Sequence, residues 1–268
     1  MICCEYCYCQ TYILFIDVTR TCSLSPLIGF DPKSGIDYSN LSIMKLQGFV
    51  FGIRVSKSFY LEDKMGAIID ELLYTKDSAF GPSLFPTVQE GQGAKMLYNQ
   101  TTGDKLTVTH SDFIFEYTVK NDFDKEFKKY LDAFKNLVTK QIFKNFDVHY
   151  IARFGFIVKS ELAKNDAITN SVHDIIKQSH NGFTPDSYSL RFNVKEKKPL
   201  KIKDIVTEDF DNIIVTYDKT NEDSQLTFSV DYQKYFKPEL NSINESTITF
   251  EDFCKSSYDK YKKTYCEQ

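Results

Sequence analysis

Two arginines stand where a side chain carried on a strand could hold an anion. Arg54 lies in Phe51-Gly52-Ile53-Arg54-Val55, and Arg153 opens Arg153-Phe154-Gly155-Phe156. Each falls on the less apolar parity of a stretch that alternates with a period of two, and each is close to a glycine. A guanidinium offers a planar fork of donors that fits a carboxylate or a phosphate, and a strand glycine lets another group approach the backbone. The plainer reading is that each arginine pairs with an Asp or Glu on a neighbouring strand. Arg54 and Arg153 are the only residues singled out for binding, and none is singled out for catalysis, a cofactor or a metal.

Other groupings carry less. Asp186 followed by Glu196-Lys197-Lys198 fits the loose formula of a metal-dependent nuclease, two carboxylates for Mg²⁺ and a Lys for the attacking water. Those ten steps lie along one expected strand, which separates the carboxylates by about 30 Å, whereas two ligands of one ion meet within a few ångströms. No nuclease centre is therefore expected at Asp186, Glu196 and Lys198. Cys4-x-x-Cys7 has the spacing of half a zinc knuckle, and Cys9 and Cys22 bring the thiolates to four, but there is no second close pair. His173 and His180 are two helical turns apart, too far to share a metal, and His110 and His149 sit singly in strand patterns. The run Lys195, Lys197, Lys198, Lys201 and Lys203 reads as a charged strand edge that discourages aggregation, ahead of a nucleic-acid patch. No glycine-rich phosphate loop, His-Glu-x-x-His or Gly-x-Ser-x-Gly occurs.

The elements that position these residues belong to a chain of 268 residues, enough for one large domain or two small ones. Hydrophobic residues at 42% and only 18 Gly and Pro together exclude disordered and collagen-like chains. With 33 basic against 37 acidic residues, the net charge of −4 supplies no general attraction to nucleic acid or anionic lipid. The longest apolar run, Tyr12 to Ile16, is far short of a membrane span. Five of the seven cysteines fall in the first 22 residues, and none lies between Cys22 and Cys254. That distribution does not suit a disulfide framework and points to a reducing, cytoplasmic compartment. No secretory signal is expected, and the matches at Asn40, Asn99 and Asn244 to the glycosylation pattern are read as chance.

Residues 1–43 are expected to be a cysteine-rich extension that packs loosely or not at all, and Met44, directly before the first strong strand, is a candidate translation start. Leu46–Lys57 alternates as a half-buried strand, and Glu62–Tyr74 carries the stripe of an amphipathic helix. Pro86 through Gly93 reads as loop. Ala94–Asn99 and Leu106–Val119 are expected strands around a turn at Thr102-Gly103-Asp104, the second with a bulge near Ser111-Asp112 where its apolar parity changes. A helix capped by Asn121 follows, then a strand over Val148–Val158, a weaker helix within Glu161–Gln178, and a strand over Tyr188–Val194. A hairpin of Ile213–Tyr217 and Leu226–Tyr232 and a last helix opened by Thr249 complete the chain. The expected fold is α+β, with antiparallel sheets and helices on one face. Its first half (44–158) has the ferredoxin-like order βαββαβ, and the second half (159–268) suggests an internal duplication of a βαββα unit, since Phe51-Gly-Ile-Arg-Val recurs as Phe154-Gly-Phe-Ile-Val.

The strand Tyr150-Ile-Ala-Arg153-Phe-Gly155-Phe-Ile-Val158 resembles the central strand of a sporadically distributed family of uncharacterised bacterial proteins, which carries an Arg-Ile-Gly-Leu-Arg-Tyr type motif. The similarity would cover roughly residues 44–265, with Ile157 where that motif has its second Arg. It implies a bacterial cytosolic origin and an α+β fold, and no activity. Two function classes follow. The favoured one is a non-enzymatic interaction module that recognises another protein through its sheet face, with no cofactor, no membrane partner and nucleic acid not favoured. The alternative is an enzyme acting on nucleic acid or nucleotides, nuclease-like in its chemistry.

Overall fold

A computed structural model describes residues 13–17, 44–74, 79–91, 93–138, 150–162, 167–179, 182, 185–202, 205–221, 224–236 and 249–266. Among the described residues the fold is α+β, with nine antiparallel strands and four α-helices. A tenth strand, β1 (Ile13–Asp17), pairs in parallel with Ser189–Asn193. The other strands are β2 (Lys45–Val55), β3 (Thr87–Gly91), β4 (Ala94–Tyr98), β5 (Lys105–Thr109), β6 (Asp112–Thr118), β7 (Ile151–Leu162), β8 (Tyr188–Ile202), β9 (Ile205–Lys219) and β10 (Leu226–Tyr235). The helices are α1 (Phe59–Tyr74), α2 (Phe123–Asn136), α3 (Ala167–Ser179) and α4 (Phe250–Tyr261). Among the described residues no helix is long and apolar enough to cross a membrane.

The chain forms two compact units. The smaller takes in β1, Glu161–Val194 and Ile214–Ser229; the larger takes in Leu46–Ser160, Lys195–Ile213 and Val230–Gln268. The second half of the chain is thus shared between the units instead of forming one of its own. In the smaller unit, Val172 and Ile176 of α3 are buried, as are Tyr188 and Leu190 of β8. Of the N-terminal extension, Ile13–Asp17 is described, as a strand paired with β8; its five clustered cysteines lie outside the described residues.

In the larger unit the strand order is β8-β9-β10-β7-β2-β6-β5-β4-β3. Successive strand side chains point to opposite faces, so the alternation of β2 buries Phe49, Phe51, Ile53 and Val55 on one side. Phe51 is the hub. Its ring centroid lies 5.7 Å from Phe127, 5.9 Å from Phe134, 5.7 Å from Phe156 and 6.0 Å from Phe250. One buried ring therefore ties β2 and β7 to α2 and α4. Each such aromatic pair adds about 0.5–1.5 kcal/mol to what burial alone supplies. The apolar stripe of α1 (Leu61, Met65, Ile68, Ile69, Leu72) is buried too, along β4 and β5, whose Leu97, Leu106 and Val108 are fully covered.

Three local expectations are corrected. The parity change at residues 110–111 marks a turn, not a bulge: β5 and β6 are separate strands paired antiparallel. The Thr109 hydroxyl accepts from the N–H groups of Ser111 (3.2 Å) and Asp112 (2.8 Å) and closes that turn, so the side chains resume on the core face after two residues. The stretch after Pro86 is not loop throughout, since Thr87–Gly91 pairs with β4 as an added strand. The cap of α2 is Asp122, not Asn121. Asp122 has the extended backbone of a cap (φ −109°, ψ 114°) and accepts from Lys125 N, while Asn121 gives its amide to Glu126 Oε1 at 3.2 Å. Gly103, with φ 76°, makes the expected turn, and Thr249 caps α4 by accepting from Asp252 N at 3.1 Å.

Glu251 of α4 binds Lys135 of α2 and Lys255 one turn on, and these hydrogen bonds hold its carboxyl down from the ordinary 4.5 to about 2. A carboxyl depressed in the folded state stabilises fully above its unfolded value, and that contribution fades as pH falls toward the folded value. Glu251→Gln is therefore expected to lower stability at pH 7 by no more than about 1 kcal/mol, because the pairs are partly exposed. In urea denaturation the gap to wild type should close between pH 4.5 and pH 2. A gap that stays constant over that range contradicts the assignment.

Candidate functional site

The face of the larger sheet opposite the aromatic core is set by the same alternation. With Phe51 stacked on Phe156, the next residue of β2 and the preceding residue of β7 are neighbours on the other side: Gly52 and Gly155. A Cβ built at Gly52 would meet Gly155 O at 3.8 Å and its Cα at 4.0 Å, and one at Gly155 would meet only Gly52 O at 3.8 Å. Among the described residues nothing else comes within 4 Å of either position, and neither glycine has positive φ. Two adjacent missing side chains leave a recess floored by backbone. Ile114, opposite Gly52 on β6, and Ile157, two residues beyond Gly155, are half-buried beside it.

Two residues from the glycines, in the opposite directions that antiparallel strands run, are Arg54 and Arg153. The pairing of the glycines brings them near one another, short of a one-residue offset reached where Ser56 N donates to Tyr150 O at 2.9 Å. The structure treats them differently. Arg54 pairs with Asp112, its registered partner on β6, Nε donating to Oδ1 at 2.7 Å, and its side chain is 47% exposed. That hydrogen bond holds the guanidinium above its ordinary pKa against the opposing effect of burial, with lesser support from the charge of Asp112 and from Tyr235. Arg153 has no carboxylate partner among the described residues. Its guanidinium carbon lies 5.8 Å from the centroid of Tyr235 on β10, a cation–π contact. The row across the sheet is thus Tyr235, Arg153, Arg54 and Asp112, with two cations to one carboxylate.

The surrounding polar groups on this face are mostly engaged. Burial acts to raise the Glu116 carboxyl, but hydrogen bonds from Lys105 (2.7 Å) and Lys159 outweigh it and leave the carboxyl below its ordinary range. Gln233 accepts from Asn212 Nδ2 at 3.0 Å and from the Tyr235 hydroxyl at 2.8 Å, and donates to Asp231. The buried Asn212 Oδ1 has no hydrogen-bond partner among the described residues.

The remaining sequence candidates are not gathered into a site. Glu196 is ion-paired with Lys260, Asp186 lies at the exposed entry to β8, and the Lys198 side chain is outside the described residues. β8 runs unbroken from Tyr188 to Ile202, longer than expected. His173 makes an edge contact with Tyr188 at 6.1 Å, His110 lies in the β5–β6 turn, and His149 and His180 are outside the described residues. Among the described residues no three of His, Cys, Asp and Glu stand where they could hold a metal ion. Sequence reasoning found both arginines and missed their adjacency, Tyr235 and the recess. The recurrence of Phe-Gly in both strands was the signal for the recess, had it been read as a pair.

A comparison with protein-family models gives no match, and a search of curated proteins gives no similar sequence.

If the glycines have no packing role, filling the recess is tolerated. Gly155→Val is expected to leave the unfolding free energy unchanged or to raise it by up to about 1 kcal/mol, because a β-branched residue suits a strand interior better than glycine. Equilibrium urea denaturation checks this. A loss of more than about 1 kcal/mol would assign the glycines to packing instead.

Proposed function

We propose that the chain is a non-enzymatic recognition module that binds another protein through the open face of the larger sheet, and that it works in a reducing, cytosolic compartment. The observation that carries this reading is the pair Arg54 and Arg153, near one another on the face opposite the aromatic core, with Arg153 free of any carboxylate among the described residues. Structural arginines are normally neutralised, and a guanidinium held over a ring beside a backbone-floored recess is poised for an external partner. Glu196, the carboxylate the nuclease alternative needs most, is held by Lys260.

The finer reading of the fold belongs with this proposal. β7-β2-β6-β5 follows the strand order of a ferredoxin-like unit, with β3 and β4 added beyond it. Counted outward, β2-β6-β5-β4 and β7-β10-β9-β8 run in the same sequence of first, last and inner strands, which supports an internal duplication.

The test places a photocrosslinking amino acid at Ile114 on the open face or at Lys128 on the solvent side of α2, in cells that express the protein. A discrete adduct from position 114 only is expected. The protein in it, identified and purified, should bind wild type at least about tenfold more tightly than Arg54→Glu/Arg153→Glu. Equal adducts from both positions, or binding indifferent to the arginines, would overturn the reading. So would Mg²⁺- or Mn²⁺-dependent cleavage of DNA or RNA that vanishes in a folded Glu196→Ala variant.

A further inference from the structure

Glycine in the interior of a strand weakens it, so its presence there needs a cause: a bulge, a sharp bend, or the close approach of another backbone or a ligand. Gly52 and Gly155 sit in unbroken strands, without positive φ, and a side chain at either would touch only the other glycine at ordinary contact distance. The pairing of β2 with β7 is offset by one residue between Gly155 and Tyr150, whose carbonyl accepts from Ser56 N at 2.9 Å, but at the two glycines themselves the strands neither turn to positive φ nor crowd one another. The uncrowded floor they leave has room for a ligand to come down onto the backbone.

The surroundings say what kind. Arg153 and Arg54 stand on one side of the floor, and half-buried Ile114 and Ile157 flank it elsewhere. Arg54 is already oriented by Asp112, whereas Arg153 has only the Tyr235 ring beside it, so Arg153 is the guanidinium with donors to give. Cationic on one side, with the already engaged amide of Gln233 on the β10 side and the two isoleucines elsewhere, the recess suits an oxyanion attached to an apolar body. Asp112, Glu116 and Asp231 share this face, so a polyphosphate chain running across it meets more like charge than a single carboxylate held at Arg153.

We infer that the recess over Gly52 and Gly155 seats an acidic side chain, flanked by aliphatic residues, from an extended segment of a partner protein, with Arg153 as its anchor. This rests on the recognition reading above and names the chemistry of the partner. The carboxylate takes the Arg153 fork while the flanking apolar residues lie against Ile114 and Ile157.

The probe is a phage-displayed library of random dodecapeptides, selected on the immobilised full chain and counter-selected on Gly155→Val. Enriched peptides are expected to share an Asp or Glu next to aliphatic residues. For a fluorescein-labelled winner, fluorescence anisotropy should show affinity about 10- to 100-fold weaker for Arg153→Ala and lost in Gly155→Val. Replacing the peptide's acidic residue by its amide should cost as much as Arg153→Ala, and combining the two changes should add little. Thermal melts of both protein variants, matched to wild type, establish that the loss is not unfolding. Winners without an acidic residue, or equal binding to Gly155→Val, would overturn the inference, as would tighter Arg153-dependent binding of a 20-nucleotide single-stranded RNA. If an Ile114 adduct forms in cells while the peptides behave that way, the recess inference alone fails. If neither gives a signal, the recognition reading fails with it.

Discussion

The pairing of β2 with β7 is the constraint on which the larger unit depends. Antiparallel neighbours share a face, and side chains along each strand alternate, so burying Phe51 against Phe156 leaves no freedom for the residues between. Gly52 and Gly155 must meet on the opposite side, with Arg54 and Arg153 two residues on toward the end of the pairing. A slip of one residue would carry Phe51 into water and an arginine into the core, at a cost of several kcal/mol for the pair. The site is therefore fixed by the hydrophobic core and not by contacts of its own.

This arrangement separates stability from recognition. On the core face the rings of Phe49, Phe51, Phe115, Phe127 and Phe134 are close-packed and buried, and there a lost side chain leaves a cavity. On the open face the charges are screened or paired, and the adjacent positions Gly52 and Gly155 carry no side chain at all. The face can change without threatening the fold, which is the economy expected of a surface that meets a partner. The same separation explains why Arg54 and Arg153, though neighbours, do not repel strongly: Asp112 compensates one, and the Tyr235 ring lies beside the other.

Much of the fold was legible because its signals are local. The alternation in β2, the stripe of α1, the Gly103 turn and the Thr249 cap each follow from a few adjacent residues. The errors came where one signal had two meanings. A parity change looks alike whether a bulge or a two-residue turn causes it, and only the Thr109 hydroxyl, which closes the turn at Ser111, decided between them. Thr87–Gly91 is a strand because β4 offers it a partner, not because its own sequence alternates apolar and polar residues. Of the candidate site, residue identities were legible and adjacency was not. The distances from Arg54 to Arg153 and from Arg153 to Tyr235 in the chain are about a hundred residues and about eighty, and register between distant strands is decided by the whole core.

The central claim is that Arg54 and Arg153 share one face in different states, one satisfied and one waiting. The chain has four arginines, Arg20, Arg54, Arg153 and Arg191, so an NMR spectrum of arginine Nε–H groups is simple enough to assign by single Lys replacements. The account predicts that the Arg54 Nε–H exchanges slowly with water in the free protein because Asp112 accepts it, and that the Arg153 Nε–H exchanges fast until an acidic peptide is added, when it shifts and becomes protected. An Arg153 Nε–H already protected in the free protein and unmoved by the peptide would contradict it.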